Sequence, residues 1–176
     1  SYAPDEVVLA AGSWSGDLAK RLHLKLSLQG GKGYSINVAR ETGISVPAIL
    51  MESKMAVTPM SGFTRFAGTM EFSGNNNIIR KERVAAIVNG ASSFYPDLTI
   101  NEAEIKSVKT GLRPVSPDGL PYIGRSASIK NLTIGTGHAM MGWSLGPATG
   151  KLITELLSGN KTSMDISSFD IQRSFT

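Results

Sequence analysis

"NLTIGTGHAMMGWSLGPATGKLITELLSGN", residues 131–160, decides the fold. Its opening, NLTIGTG, reads as a short strand closing on Gly135 and Gly137, where a backbone without a side chain permits close approach. A loop through Gly142 follows. The segment from Gly146 then has helical periodicity: Leu145, Ala148, Leu152, Ile153 and Leu156 share one face, Pro147 sits near the first turn, and Gly159 ends the run. Strand, glycine turn and helix in that order make half of an α/β layer. Backbone N–H groups converge on the loop at the positive end of the helix dipole. Two readings stay open for it. The glycines serve packing alone, or they cradle an anion or a ring carbonyl that becomes electron-rich on reduction.

The same order recurs near the start. DEVVLAAGSWSGDLAKRL, residues 5–22, is an apolar run broken at Gly12 and continued as a helix with Trp14, Leu18 and Leu22 on one face. The texture then changes. LKLSLQ, GYSINV, VPAILME, KMAVTPM and FTRFAGTMEF are short alternating runs separated by Gly, Pro or Ser, and predict consecutive antiparallel strands over residues 24–72. A helix is expected from Ile78 to Phe94, capped by Asn77, with Val84, Ile87, Val88, Ala91 and Tyr95 as its apolar stripe. EIKSVKTGLRP and PYIG return as strands, and the polar tail, residues 161–176, is expected to lie over the surface. The fold class expected is therefore α+β. An antiparallel sheet with a helix (residues 24–109) is flanked by pieces of an incomplete α/β layer (residues 1–23 and 110–160), whose parallel strands are too few to stand alone.

Composition narrows the chemistry. The 176 residues are 41% hydrophobic and 18% charged, and the net charge of +4 comes from scattered lysines and arginines without an aromatic platform, which argues against nucleic-acid binding. There is no cysteine, so disulfides, thiolate metal sites and cysteine nucleophiles are excluded. The two histidines, His23 and His138, are far apart, and no metal site is expected. No apolar run approaches the ~20 residues of a membrane span. With no recognisable leader, the expected location is cytoplasmic, with peripheral contact to the inner membrane face as an added option.

Near-motifs fail on specific residues. In GPATGKL the glycines are four apart rather than five, and Leu152 stands where a phosphate loop needs Ser or Thr. GTGHAM has Met140 at the third glycine position of a dinucleotide fingerprint, and GSWSG has Trp14 where a nucleophilic serine would be. Trp14 and Trp143 are expected to be packing residues, Tyr34 and Tyr122 strand-face aromatics. Arg113, in TGLRPV, is different. Apolar neighbours and Pro114 shelter its guanidinium, which suits bidentate recognition of a carboxylate; a plain surface arginine is the alternative.

Taken together, TGLRPVSPDGLPYIGRS (residues 110–126) and the stretch quoted first resemble the C-terminal signature of the FAD-dependent D-amino-acid oxidase and dehydrogenase superfamily, in the Gly-Trp-Ser form of the bacterial D-amino-acid dehydrogenases. VVLAAGSWSGDLAKRL resembles the internal strand, glycine and helix of that family, and GKGYSI and FTRFAGTMEF are similar to its substrate-domain strands. The resemblance implies oxidative deamination of D-amino or secondary amino acids by hydride transfer to FAD. It assigns the substrate carboxylate to Arg113. Met140 occupies a substrate-pocket position where glycine oxidase has an arginine. Gly12, Gly137, His138, Met141, Gly142, Trp143, Ser144 and Leu145 would border the flavin. It implies no side-chain acid or base and no metal. The family's G-x-G-x-x-G is missing, so the chain is expected to be a C-terminal portion that lacks FAD by itself, its layer covered by self-association or a partner chain. A cofactor-free domain and a subunit completed by a partner are the alternatives.

Overall fold

β1 (Val7–Leu9) lies parallel to β8 (Leu132–Thr136), with Val8 opposite Thr133, so the two ends of the chain do share one layer. β7 (Tyr122–Arg125) runs antiparallel along the other side of β8. A computed structural model describes residues 2–175 and divides them into two units, residues up to 31 with those from 113 onward, and residues 32–112. The chain crosses between them in β2 (Gln29–Val38) and again in β6 (Lys109–Val115).

In the first unit a short 3₁₀ turn, Gly12–Trp14, leads into α1 (Ser15–Arg21). The apolar face Trp14, Leu18, Leu22 points outward, and α1 buries Ser15, Gly16 and Ala19 instead. Small residues let this helix sit against the backbone: a Cβ at Gly16 would lie 3.5 Å from the Leu28 Cβ. LKLSLQ is not a strand before Gln29. Its alternation is satisfied by side-chain packing, with Leu24, Leu26 and Leu28 joining Leu9, Ala19 and Tyr122 in the core.

α4 (Gly142–Leu157) starts earlier than the periodicity suggested, and Pro147 lies inside it rather than in its first turn. Its buried residues are Thr149 and Leu152, while Leu145 and Ala148 are exposed. The helix packs on β7 and β8. Contact at Gly135 is so close that a Cβ there would come within 2.5 Å of the Ile153 Cδ1, and a larger residue would oblige the Ile153 side chain to shift. The tail is more than a surface wrap. It contains a 3₁₀ turn, Ser167–Phe169, and buries Ile171 in the core.

The second unit is a five-stranded sheet ordered β3-β4-β5-β2-β6, from β3 (Ala48–Leu50), β4 (Met55–Met60) and β5 (Phe63–Phe72) with β2 and β6. α2 (Lys81–Phe94) covers one face, where Val84, Ile87 and Ala91 meet Tyr34, Ile36 and Phe66. The helix is shorter than expected and Asn77 does not cap it. Asn76 holds the approach: its amide donates to Ser73 O (2.7 Å), and its Oδ1 accepts from Ile78 N (3.0 Å). A short helix, α3 (Glu102–Lys106), interrupts the strand expected from EIKSVKTGLRP, because Asn101 and Glu104 form a reciprocal capping box.

Thr69 adopts a left-handed φ of 61°, which switches the alternation of β5 and turns Glu71 inward beneath β2. There Glu71 meets the buried Lys32 ammonium at 3.3 Å and accepts a 2.6 Å bond from the Tyr34 hydroxyl; Arg80 lies 3.1 Å away. The Ser73 hydroxyl, then Tyr34 and Lys32, hold the carboxyl at about 2 instead of 4.5, against the opposing effect of burial. A depressed carboxylate contributes in full above its unfolded value and loses that contribution as pH falls toward its folded one. Stability of this unit should therefore decline from pH 4.5 to about 2, and Glu71→Gln should flatten that decline. Urea unfolding across the window measures it. The same slope in both proteins would show that Glu71 does not carry the pH dependence.

Candidate functional site

The segments singled out in the sequence converge within the first unit. Arg113 is half-buried near the end of β6. The next residue, Pro114, accepts a 2.9 Å hydrogen bond from the Ala139 N–H, and Val115 forms an isolated antiparallel bridge with His138. Thus the strand end that carries Arg113 and the loop that carries Met140 are laced together. Thr136 donates its hydroxyl to Gly12 O at 3.1 Å, which ties the N-terminal turn to the same place. Among the described residues no carboxylate lies within ion-pairing distance of Arg113, whose guanidinium is therefore free to take one.

The loop's backbone is demanding. Gly137 has φ 84° and Ala139 φ 48°, both left-handed. A Cβ at Gly137 would also lie 3.1 Å from the Tyr122 ring, so conformation and space both call for glycine. Met141 N–H donates to His138 O at 2.9 Å and closes the turn. The His138 Nε2 is 2.8 Å from the Thr149 Oγ1, and burial pushes the imidazole below its ordinary pKa. A neutral ring bonded to α4 acts as a brace for the loop.

Beyond the brace, the side chains turn out to solvent. Met140 is 70% exposed, Trp143 97%, and Met141 and Leu145 are exposed beside them, as is Ser144. Neither Trp143 nor Trp14 packs in a core as their size suggested. Large apolar side chains displayed together on one loop are characteristic of binding surfaces.

This surface could hold the flavin ring of FAD that the sequence resemblance implies. The first intrahelical bond of α4 runs from Leu145 N–H to Met141 O, so the N–H groups of Gly142, Trp143 and Ser144 have no acceptor within the helix. Uncommitted donors at a positive helix end, set among apolar side chains, match a planar ring with an electron-rich carbonyl edge. The pyrophosphate of the cofactor is another matter, because the sequence contains no G-x-G-x-x-G turn for it.

Comparisons with known proteins identify the family. Residues 2–156 match the DAO family model, FAD dependent oxidoreductase, and the chain belongs to that family. It is 33% identical over 172 residues to a D-amino acid dehydrogenase of Bradyrhizobium diazoefficiens and 31% identical to one of Granulibacter bethesdensis, in each case over 96% of this chain and 40% of the relative. The crystal structure of glycine oxidase from Geobacillus kaustophilus superposes with a TM-score of 0.86 at 25% identity, over 99% of this chain and 47% of that one. The chain thus spans about 40% of the length of the curated relatives it matches. No helix among the described residues is long and apolar enough to cross a membrane, and no cluster of His, Asp or Glu among them could hold a metal ion.

Three residues of the site's framework were missed in the sequence reading. The sequence reading assigned no role to Thr149, which braces His138, or to Asp118, which pairs with Arg173. Arg173 lay in a tail read as surface, and nothing local signals a partner 55 residues away.

Proposed function

We propose that the protein oxidises D-amino acids, or related secondary amino acids, as part of an FAD-dependent dehydrogenase or oxidase. The observation that carries this reading is a half-buried arginine without a counter-charge, laced by Pro114 to a loop at a helix N-terminus. Arg113 grips the substrate carboxylate with its two-pronged guanidinium and so orients the Cα–H. Bound FAD supplies the hydride acceptor. The first-turn N–H groups of α4 would help hold the flavin and favour negative charge developing near them. His138 is committed to Thr149, so no side chain here takes the amine proton; a substrate amine that binds neutral releases it to water. The imine product then hydrolyses to the keto acid and ammonia, or to the keto acid and a primary amine when the substrate is an N-alkyl secondary amino acid.

Met140 sets the size preference in this reading. A flexible, uncharged thioether beside the carboxylate site accommodates apolar side chains and offers nothing to a second carboxylate. Medium or large apolar D-amino acids, or cyclic ones, should give higher kcat/KM than glycine in a substrate panel with the complete enzyme. Glycine as the best substrate would remove Met140 from the pocket.

A further inference from the structure

We propose that Arg173 is a positioning residue for carboxylate recognition: from the C-terminal tail it clamps the β6–β7 turn and thereby fixes the strand end that presents Arg113. The inference rests on the role proposed above for Arg113.

One side chain makes an unusual number of bonds here. Arg173 Nε and Nη2 donate to the two oxygens of Asp118 at 2.7 and 2.9 Å, a bidentate pair. Nη2 also donates to Leu120 O (2.7 Å), and Nη1 to Pro121 O (3.1 Å) and Asp170 O (3.1 Å). The guanidinium stacks 3.9 Å from the centroid of the buried Tyr122 ring. It is 12% exposed, and it holds the Asp118 carboxyl at about 2 instead of 3.8.

What it grips is the turn directly after β6. Within that turn Ser116 donates its hydroxyl to Leu120 O (2.7 Å) and Asp118 accepts from Leu120 N (3.1 Å). The turn begins one residue beyond Val115, the residue bridged to His138, and two beyond Pro114, the acceptor for Ala139. A turn that drifts therefore moves the Arg113 strand end and the Met140 loop together. A tail needing only attachment would be served by Ile171, which is already in the core. Of the five hydrogen bonds that this arginine makes, four go to the turn's own carboxylate and two of its carbonyls, and with the ring contact they specify where that turn sits.

The test uses the complete, flavin-bearing enzyme with Arg173→Gln, Arg173→Lys and Asp118→Asn. Steady-state kinetics and the Kd of propionate, read from the flavin absorbance, are compared with those of the parent and of Arg113→Ala. Arg173→Gln should raise KM and the propionate Kd by about tenfold, since displacing a binding group by even 1 Å is costly. Its kcat should fall less than its KM rises, because the carboxylate contact is made in substrate and transition state alike and orientation of the Cα–H is lost only in part. Arg173→Lys should recover part of the loss, keeping the Asp118 ion pair without the fork. If Arg173→Gln does not fold, Asp118→Asn carries the same expectation. A lowered Tm with unchanged KM and propionate Kd in the folded variants would overturn the proposal and leave a purely structural clamp. Unchanged propionate binding in Arg113→Ala would instead overturn the role of Arg113 itself.

Discussion

Arg113→Ala in the complete enzyme should lower kcat/KM by about a hundredfold or more, with a large rise in KM. A bidentate guanidinium–carboxylate pair consists of two charge-assisted hydrogen bonds, each contributing about 1.5–3 kcal/mol. Losing the pair removes about 3 kcal/mol or more, and each 1.4 kcal/mol is about tenfold. The expectation is strengthened by the surroundings: Arg113 has no carboxylate partner among the described residues, so the substrate supplies its missing charge. Arg113→Lys keeps the charge but not the planar fork, and should still show a sharply raised KM. Alanine and lysine variants with parental KM would place the carboxylate elsewhere.

How much of this was legible depended on whether the signal was local. The strands GYSINV, KMAVTPM and FTRFAGTMEF announce themselves because alternation and glycine punctuation are properties of a few neighbouring residues. The parallel pairing of β1 with β8 followed from two matching strand–glycine–helix units, each visible by itself. The outward turn of Trp14 and Trp143 was not visible, since bulk and apolarity read as burial in the absence of a partner surface. Glu71 and Lys32 escaped for a different reason. Their burial depends on the left-handed Thr69, a backbone choice that a β-branched residue rarely makes and that no residue pattern announces. For the site, Arg113 and the glycine loop could be named from sequence. Their lacing through Pro114 and Ala139 is a long-range contact, as is the Asp118–Arg173 clamp, and neither has a local signature.

The 176-residue chain by itself should bind FAD at least about a hundredfold more weakly than the complete enzyme does, and should purify without yellow colour. It holds the groups that face the ring edge, namely the first turn of α4 and the loop before it, but its sequence offers no G-x-G-x-x-G turn to the pyrophosphate. Charge-assisted bonds to a phosphate are worth about 1.5–3 kcal/mol each, so the absence of two already accounts for a hundredfold. The open edge of β1 has a consequence of its own for the isolated chain. β1 pairs with β8 on one side only among the described residues, and Val7, Val8, Trp14 and Leu18 are exposed nearby in the sequence. An open strand edge with apolar side chains is a template for pairing, so the isolated chain should also self-associate. Titration with FAD followed by flavin fluorescence, and sedimentation across a range of protein concentrations, measure the two effects. Stoichiometric FAD with turnover of a D-amino acid by this chain alone would show that the ring site suffices, and a strictly monomeric chain would show that the β1 edge is not adhesive.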